Sequence, residues 1–492
     1  MTTKTKKIYS KEEWADIEKN KAYCPAMFTS LYLNPQNRMS SCCVQNEHEF
    51  KDLPYIEDDT KPITELLNQE FFTQIRKDAL NGIQNPACEH CWKTQRDHIE
   101  EQKEYRYGFI TQSHNAGTSD KIRQAINDDY TVDYDIAPIE HMDVRFSTLC
   151  NLRCRSCSGA FSSSWYPEEV KLNKIAHNPI PKEVYSDPKQ WDHGQPTRPA
   201  DHNLSVENLK PHLAGVDKLY FAGGEPVMMK EHYQMLDYLI ENNRTDVRLT
   251  YNTNFSILTS TNPDGGTFDV IDYWKQFPHV IIGASLDGSH ERGEYIRKNI
   301  VWSEVEKNIE RLRTECPHVG FYLSPTLSIM NAYNIPDFHK EWVEKGYIGL
   351  HDISLNLLYG PDHYNVRNLP LNHKKALTKV YEDHIEWIRW YQDLHGVDAN
   401  NYGSGITDFD NLISFMNNSE PHAEFARMWW KHFWLDENRK EDFFEIFPEY
   451  EDLRHMKGLA AKRFHGAKDT WEETYMDRII TMVSLDEDDR PY

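Results

Sequence analysis

The placement of cysteines is the sequence feature that most restricts what this chain can fold into. Nine cysteines occur in 492 residues, and eight of them lie before residue 160. Three follow the pattern CxxxCxxC, at Cys150, Cys154 and Cys157. These spacings allow one loop to hold three thiolates around one corner of an iron–sulfur cube. Close spacings and an odd total favour metal binding over a disulfide framework.

A structural zinc ion is the alternative occupant of this cysteine triplet. A structural zinc site takes four protein ligands, but the thirty residues after Cys157 offer only His177 as a further ligand. Three cysteines leave one iron of a 4Fe–4S cluster with an open position, which suits catalysis better than structural support. The triplet therefore predicts a catalytic iron–sulfur cluster, with zinc as the competing interpretation.

Composition argues against several classes of protein. The formal net charge is −23, and acidic residues are spread along the chain, which disfavours binding to nucleic-acid phosphates. No apolar run approaches the roughly 18 residues that a membrane-spanning helix needs. Residues 1–14 also lack the apolar stretch of a secretory signal. We expect a cytoplasmic protein with neither a membrane nor a nucleic-acid partner.

From about residue 139, short apolar runs alternate with longer amphipathic stretches, a pattern typical of βα units and a parallel sheet. The predicted strands are Met142–Ser147, Lys218–Ala222, Arg248–Asn252, Val280–Ser285, Phe321–Leu327 and Ile353–Leu357. The class is therefore α/β, and six units predict a partial (β/α)6 TIM-like barrel, a fold whose active sites lie at the C-terminal ends of the strands. Residues 176–203 are predicted to form an inserted loop, because they are rich in Pro, Asp and His.

Four regions follow from these patterns. We predict a cysteine-rich module over residues 1–95, a helical connector over 96–138, the barrel over 139–358, and a helical, aromatic-rich region over 359–492. The tryptophans of the last region are interpreted as helical core rather than as a substrate-stacking surface.

The triplet, placed just after the first predicted strand, resembles the signature of the radical S-adenosylmethionine (SAM) superfamily. The resemblance implies that SAM chelates the open iron, and that reduction of the cluster splits SAM into methionine and a 5′-deoxyadenosyl radical, which abstracts hydrogen from a substrate. Cys150, Cys154 and Cys157 would then be both metal ligands and catalytic residues. An electron donor such as flavodoxin or ferredoxin is implied as a partner.

Segments after the triplet add to this resemblance. Gly223-Gly224-Glu225-Pro226, at the end of the second predicted strand, resembles the GGEP motif whose backbone holds the amino group of SAM. An Arg suits recognition of a carboxylate, because its planar fork can bind both oxygens. The resemblance implies further SAM-binding residues: Thr253 and Asn254 near the ribose, Ser285 and Arg297 at the methionine carboxylate, and Leu327 beside the adenine.

The N-terminal cysteines resemble a twitch or half-SPASM module, which carries one auxiliary iron–sulfur cluster. The resemblance implies Cys24, Cys42, Cys88 and Cys91 as ligands, with Cys43 as the alternative to Cys42. The order departs from the family, because this module usually follows the barrel and here precedes it. A four-cysteine zinc site is the alternative for this module.

The sequence thus predicts a radical SAM enzyme with two iron–sulfur clusters. The twitch-like module favours a peptide or protein side chain as substrate, and a small-molecule substrate stays open. The alternative from another class is a non-catalytic iron–sulfur or zinc protein that serves electron transfer or interaction. Such a protein would not need SAM, and its spectrum would not respond to it.

Overall fold

A computed structural model describes residues 5–35, 38–45, 53–54, 56, 61–96, 105–159, 161–168, 206–261, 266–397, 405–418 and 424–456. The predicted inserted loop at 176–203 lies outside the described residues, as do the last residues of the C-terminal region, 457–492.

Thirteen strands are described, and seven of them form one sheet in the order β11-β9-β6-β5-β3-β1-β2. The strands β1, β3, β5 and β6 pair in parallel, and β2 is antiparallel to β1. This largely parallel sheet, with helices between its strands, confirms the predicted α/β class. The strands are β1 (Ser30–Leu33), β2 (Met39–Ser40), β3 (His141–Val144), β4 (Arg153–Cys154), β5 (Lys218–Phe221), β6 (Arg248–Thr253), β7 (Thr259–Thr261), β8 (Thr267–Asp269), β9 (Val280–Ala284), β10 (Arg297–Lys298), β11 (Gly320–Leu323), β12 (Thr326–Leu327) and β13 (Asn356–Leu357).

The cysteine-rich N-terminal segment contributes β1 and β2 to this sheet. Ser30 is the register partner of His141, and Leu33 is the partner of Val144. All four residues of β1 are buried, as expected for a parallel strand covered on both faces. The pattern did not predict β1, because a four-residue run is too short to separate a buried strand from a buried helical segment.

The sixth predicted strand, Ile353–Leu357, is present only as short pieces. Ile353 forms an isolated bridge with Leu323, and β13 pairs with β12 over two residues. Between β11 and β12 lies Pro325, which has no backbone N–H to donate to a ladder. The last βα unit therefore closes through two small ladders rather than one continuous strand.

Helices connect the strands and bury one face each. The helix Lys230–Glu241, for example, buries Tyr233, Met235, Leu236 and Leu239, at the spacing of a helix packed on a sheet. Among the described helices, none is long and apolar enough to cross a membrane. The described α-helices are Lys11–Lys19, Ala26–Thr29, Ile63–Leu66, Glu70–Leu80, Glu89–Arg96, Tyr105–Ala116, Thr118–Ala125, Val206–Leu213, Lys230–Glu241, Val270–Trp274, His290–Ile296, Trp302–Glu315, Ile335–Glu344, Leu371–His395, Gly405–Asn417, Glu424–Arg439 and Phe443–Ile446.

The chain divides into two compact units. The first comprises residues 1–150, 195–251 and 259–281, and the second comprises 151–194, 252–258 and 282–492. The first unit has an apolar core around Trp14, Phe28, Ile75, Trp92 and Ile122. In the second, the long helix Leu371–His395 packs on Gly405–Asn417. The four-region division stays a prediction.

Candidate active site and cysteine centres

The segment that precedes Cys150 packs directly against the Gly-Gly-Glu turn that follows β5. The backbone N–H of Gly224 donates to the Ser147 carbonyl at 3.2 Å, and that of Glu225 donates to the Leu149 carbonyl at 2.7 Å. A Cβ atom on Gly224 would lie 2.6 Å from the carbonyl carbon of Leu149. Only glycine therefore allows the two backbones to approach this closely.

The rest of this turn is equally constrained. Gly223 has a φ of +117°, a conformation that residues with a side chain rarely adopt. Glu225 is fully buried, and its carboxylate accepts the backbone N–H of Val227 at 3.2 Å. Pro226 then begins the short 3-10 helix Pro226–Met228. The predicted GGEP segment is a constrained turn with its backbone against the segment between β3 and Cys150.

Cys154 lies beside a buried ion pair. It is the register partner of Arg297 in the β4–β10 ladder, and Nη1 of Arg297 donates to Cys154 Sγ at 3.6 Å. The same guanidinium contacts both oxygens of Asp287, at 2.9 Å each. Asp287 also accepts the backbone N–H of Thr326 at 2.8 Å. This two-point contact fixes the cation beside the thiol.

The chemistry of these donors fits a thiolate-ligated cluster. Cys150, Cys154 and Cys157 form no disulfide, and the Cys157 N–H donates to the Cys154 carbonyl at 3.0 Å. Burial raises the pKa of the Cys154 thiol, and the Arg297 guanidinium partly offsets that rise. Three thiols without a disulfide in one short loop, one of them beside a fixed cation, are a suitable ligand set for iron.

The other predicted SAM-binding residues occupy the ends of strands. The Asn254 amide donates to the Asn151 side chain at 2.9 Å, so Asn254 contacts the cysteine loop. The Ser285 N–H donates to the Thr253 carbonyl at 2.8 Å, which places these two residues side by side. Leu327 is fully buried in β12. Their contacts with a ligand stay predictions.

Four N-terminal cysteines line one cavity: Cys24, Cys42, Cys88 and Cys91. Cys24 precedes a short helix and Cys42 follows β2. Cys88 ends the 3-10 helix Pro86–Cys88, and Cys91 lies in the first turn of the helix Glu89–Arg96 that continues from it. Because residues three apart share a helix face, Cys88 and Cys91 point to the same side. The fold thus brings together cysteines that are up to 67 positions apart in the sequence (91 − 24).

Burial sets the protonation of these thiols. It raises the pKa of Cys24 far above its usual range, and it raises the pKa of Cys88 to about 12. The neighbouring Cys91 thiol adds to both rises. The polar side chains that line the same cavity include Arg106, and Gln45, whose amide donates to Cys88 Sγ at 3.4 Å. Thiols this buried ionise only when a cation offsets the cost, so the cavity fits a bound metal centre.

Cys42 and Cys43 have different surroundings. Cys42 lines the cavity, whereas Cys43 is not among the described residues that form its wall. The Cys43 thiol hydrogen-bonds to the buried carboxylate of Asp143 on β3. This difference favours Cys42 as the fourth cysteine of the cavity.

A third group of metal-ligating side chains is an ion-pair network instead. His290, Glu306 and Glu341 have ligand atoms within 4.8 Å of one another. The Lys345 ammonium, however, contacts both carboxylates at 2.7 Å. A cation supplied by the chain already neutralises this surface cluster.

Sequence reasoning missed several residues of these sites. Asp287 is not among the residues predicted from the sequence, although it anchors Arg297. Arg106 and Gln45 carry no local signal, because their relation to the cysteines exists only in the folded chain. Arg155, within the triplet loop, bonds Asp436, and no sequence pattern connects positions 281 residues apart.

Comparisons with known proteins agree with the site. Residues 144–329 match the model of the Radical SAM superfamily. No curated protein matches the chain. Among solved structures, the chain is similar to native anSMEcpe with bound AdoMet and Kp18Cys peptide (18% identity, TM-score 0.33, covering 52% of this chain and 61% of that one). Similar values hold for native anSMEcpe with bound AdoMet and Cp18Cys peptide (18% identity, TM-score 0.32, 52% and 61%), and for native anSMEcpe with bound AdoMet (17% identity, TM-score 0.31, 52% and 62%).

The family match begins at the end of β3 and ends just after β12. It therefore includes the cysteine triplet, the Gly-Gly-Glu turn and the Arg297–Asp287 pair. A 4Fe–4S cluster and SAM are the cofactors of this superfamily, and the residues at the triplet fit such a cluster. Residues 144–329, less than half of the chain, thus match the radical SAM superfamily and contain the candidate cluster site.

Proposed function

We propose that the protein is a radical SAM enzyme that removes a hydrogen atom from a peptide or protein side chain. The observation that carries this proposal is the loop of three cysteines that form no disulfide, with the Arg297–Asp287 pair beside Cys154. Cys150, Cys154 and Cys157 would hold three irons of the cluster and leave the fourth open for SAM. When bound and reduced, the cluster and SAM supply the 5′-deoxyadenosyl radical that takes the hydrogen atom.

The residues of the Gly-Gly-Glu-Pro turn have the task of holding SAM by its amino group. The support for this role is the position of the turn, which the hydrogen bonds from Gly224 to Ser147 and from Glu225 to Leu149 hold against the segment that leads to Cys150. Burial and the Val227 hydrogen bond keep Glu225 in place. Pro226 stiffens the turn, because its ring fixes φ. The chain would thus orient SAM with little motion of its own.

Arg297 and Ser285 would bind the carboxylate of SAM. The support for this role is the position of the Arg297 guanidinium, which Asp287 holds beside Cys154. Its planar fork also suits a carboxylate. Thr253 and Asn254 would contact the ribose, a role supported by the bond between Asn254 and the cysteine loop.

Leu327 would cover the adenine of SAM. It lies at the end of β12 and is apolar, a property that suits packing against a flat ring.

The four-cysteine cavity would hold an auxiliary iron–sulfur cluster. Four thiolates from Cys24, Cys42, Cys88 and Cys91 complete the coordination of a cluster and leave no open iron. Its role is then electron transfer rather than substrate binding. The buried Arg106 supports this assignment, because a cation in the cavity wall lowers the cost of burying thiolates.

A reductant and a compartment belong to the same proposal. The cluster must receive single electrons, so we propose a donor such as flavodoxin or ferredoxin. Nine cysteines without a disulfide among the described residues fit a reducing, cytoplasmic location.

The experiment that tests this proposal is the response of the reduced protein to SAM. The full chain is reconstituted with iron and sulfide without oxygen, reduced with dithionite, and examined by electron paramagnetic resonance with and without SAM. We expect SAM to change the signal of one cluster, and the Cys150/Cys154/Cys157→Ala variant to lose that signal. If the wild-type protein contains the triplet cluster but its signal does not change when SAM is added, the protein would instead be an electron carrier.

A further inference from the structure

Arg155 lies inside the cysteine triplet, one residue after Cys154, and its side chain is fully buried. Its guanidinium contacts Asp436 at 2.7 Å and Glu441 at 2.5 Å. Both acids belong to the C-terminal helical region, 281 and 286 residues further along the chain. A buried, fully paired Arg at this position ties the cysteine loop to a distant part of the same unit.

Aromatic and polar groups complete the surroundings of this guanidinium. The central carbon (Cζ) of the Arg155 guanidinium lies 3.6 Å from the centre of the Tyr295 ring. Nη1 of Arg155 lies 3.0 Å from Nδ1 of His432. The Tyr295 hydroxyl in turn donates to Asp436 at 2.8 Å. Cation, ring and carboxylates thus form one closed network, and such networks hold their members in a single geometry.

A second set of contacts joins the helix Glu424–Arg439, which carries Asp436, to the loop that carries Cys154. Arg439 donates to the backbone carbonyl of Arg153 at 3.2 Å, and its guanidinium pairs with the buried Glu168 at 2.7 Å. Trp165, beneath Arg439, donates its indole N–H to the Cys154 carbonyl at 3.1 Å. The helix Glu424–Arg439 therefore fixes the backbone on both sides of Cys154.

We propose that Asp436 and Glu441, acting through Arg155, are positioning residues of the cluster site. They hold the loop that carries Cys154 and Cys157 in the conformation that accepts the cluster, and their charge contributes to its reduction potential. The C-terminal helical region is thereby a part of the catalytic site, although no ligand of the cluster comes from it. This inference rests on the proposed function, because it requires that the triplet binds a cluster.

The physical reason is the high cost of a charge left unpaired in a buried site. If one carboxylate is neutralised, Arg155 keeps its charge but loses a partner, and the loop must rearrange to restore the balance. Groups that orient metal ligands usually contribute about 10- to 100-fold to metal affinity. Reduction potentials of iron–sulfur clusters also respond to nearby charge and hydrogen bonds.

The test compares Asp436→Asn with the control Glu449→Gln in the full chain. Glu449 also belongs to the C-terminal region and pairs with Arg292 at 2.6 Å, so its loss breaks a similar ion pair elsewhere. Both variants are reconstituted without oxygen, together with the Cys150/Cys154/Cys157→Ala variant. The iron that this triple variant still binds is subtracted, and the remainder is the iron bound at the triplet. Iron per chain, the potential of the triplet cluster and circular dichroism are measured.

For Asp436→Asn we expect about 10-fold weaker retention of the triplet iron. We also expect a more positive potential in the molecules that keep the cluster, because one negative charge is removed. Glu449→Gln should match the wild type in both respects, and circular dichroism should be unchanged in both variants. Should Asp436→Asn fail to fold, Glu441→Gln carries the same test, because its carboxylate is less buried.

Two negative outcomes are distinguishable. If Asp436→Asn keeps the triplet iron and the wild-type potential, the positioning role is wrong while the proposed function stands. If the wild-type chain itself binds no cluster at the triplet, the proposed function fails first.

Discussion

At the scale of single residues, glycines and one buried ion pair explain how a loop of three cysteines is held. Gly224 has no room for a side chain, because the Leu149 backbone occupies that space. Arg297 lies beside Cys154, because Asp287 holds its guanidinium at two points. The sequence identified Gly224 and Arg297 as candidates through motifs. It could not reveal Asp287 as the anchor, because that pairing depends on folding.

Substitution of Gly224 by Ala should disrupt the segment before Cys150. The added methyl group meets rigid backbone, and overpacking of this kind typically costs about 1–3 kcal/mol in the free energy of unfolding. We expect that loss in chemical denaturation, together with reduced iron at the triplet. Gly108→Ala is the matched control, since nothing lies within 4 Å of the position of its Cβ. Equal stability of the two variants would contradict the packing described for Gly224.

Replacement of Arg297 by Gln should weaken SAM binding about 10-fold or more, because a hydrogen bond to a charged group is worth about 1.5–3 kcal/mol. The dissociation constant of SAM, measured by calorimetry on the reconstituted protein, reports this loss. Arg311→Gln is the control, because its ion pair with Glu315 lies on a half-exposed helix surface and contributes little. An unchanged affinity in the Arg297 variant would remove Arg297 from the SAM site.

At the scale of elements, the alternation of apolar runs predicted five strands of the sheet, β3, β5, β6, β9 and β11. Such runs are informative because parallel strands are buried on both faces. Two features were not predictable. The four-residue β1 is too short to be recognised. The break at Pro325 divides the fifth predicted strand, Phe321–Leu327, into β11 and β12, because proline cannot donate to a ladder.

The cavity of the N-terminal cysteines yields a prediction at this scale, because four separate segments build it. Cys88→Ser should lose the iron of the auxiliary centre, while Cys43→Ser should keep it, since Cys43 bonds Asp143 instead. Iron and sulfide per chain after reconstitution measure the difference. If the Cys43 variant lost the iron and the Cys88 variant kept it, the proposed ligand set would be wrong.

At the scale of the whole molecule, the sequence does not predict which residues that lie far apart in the chain come into contact. Cys24 meets Cys91, and Arg155 meets Asp436, only after the chain has folded. Motifs identified the cysteines of both sites, because their spacing is local or their type is rare. The charged partners have common residue types and no fixed spacing, so no pattern marks them.

Stability of the whole chain should depend on pH through buried histidines. His232 is fully buried against Tyr251, and burial lowers its pKa from 6.5 to about 3. Because the unfolded chain binds the proton more readily, this contribution is complete above pH 6.5 and is lost as pH falls toward 3. In that window the histidine lowers the free energy of unfolding by up to about 1.4 kcal/mol per pH unit.

Chemical denaturation of wild type and His232→Gln between pH 7 and pH 4 measures this effect. The variant should show a shallower loss of stability, because glutamine cannot take up the proton. Parallel curves for the two proteins would mean that His232 is not the titrating group.

The formation of 5′-deoxyadenosine tests the central claim most directly. The full chain is reconstituted without oxygen, reduced with dithionite and given SAM, and the nucleoside is quantified by mass spectrometry. The Cys150/Cys154/Cys157→Ala variant is the control. We predict 5′-deoxyadenosine from the wild type and none above background from the variant. A wild-type protein with a fully loaded triplet cluster that forms no 5′-deoxyadenosine would contradict its assignment as a radical SAM enzyme.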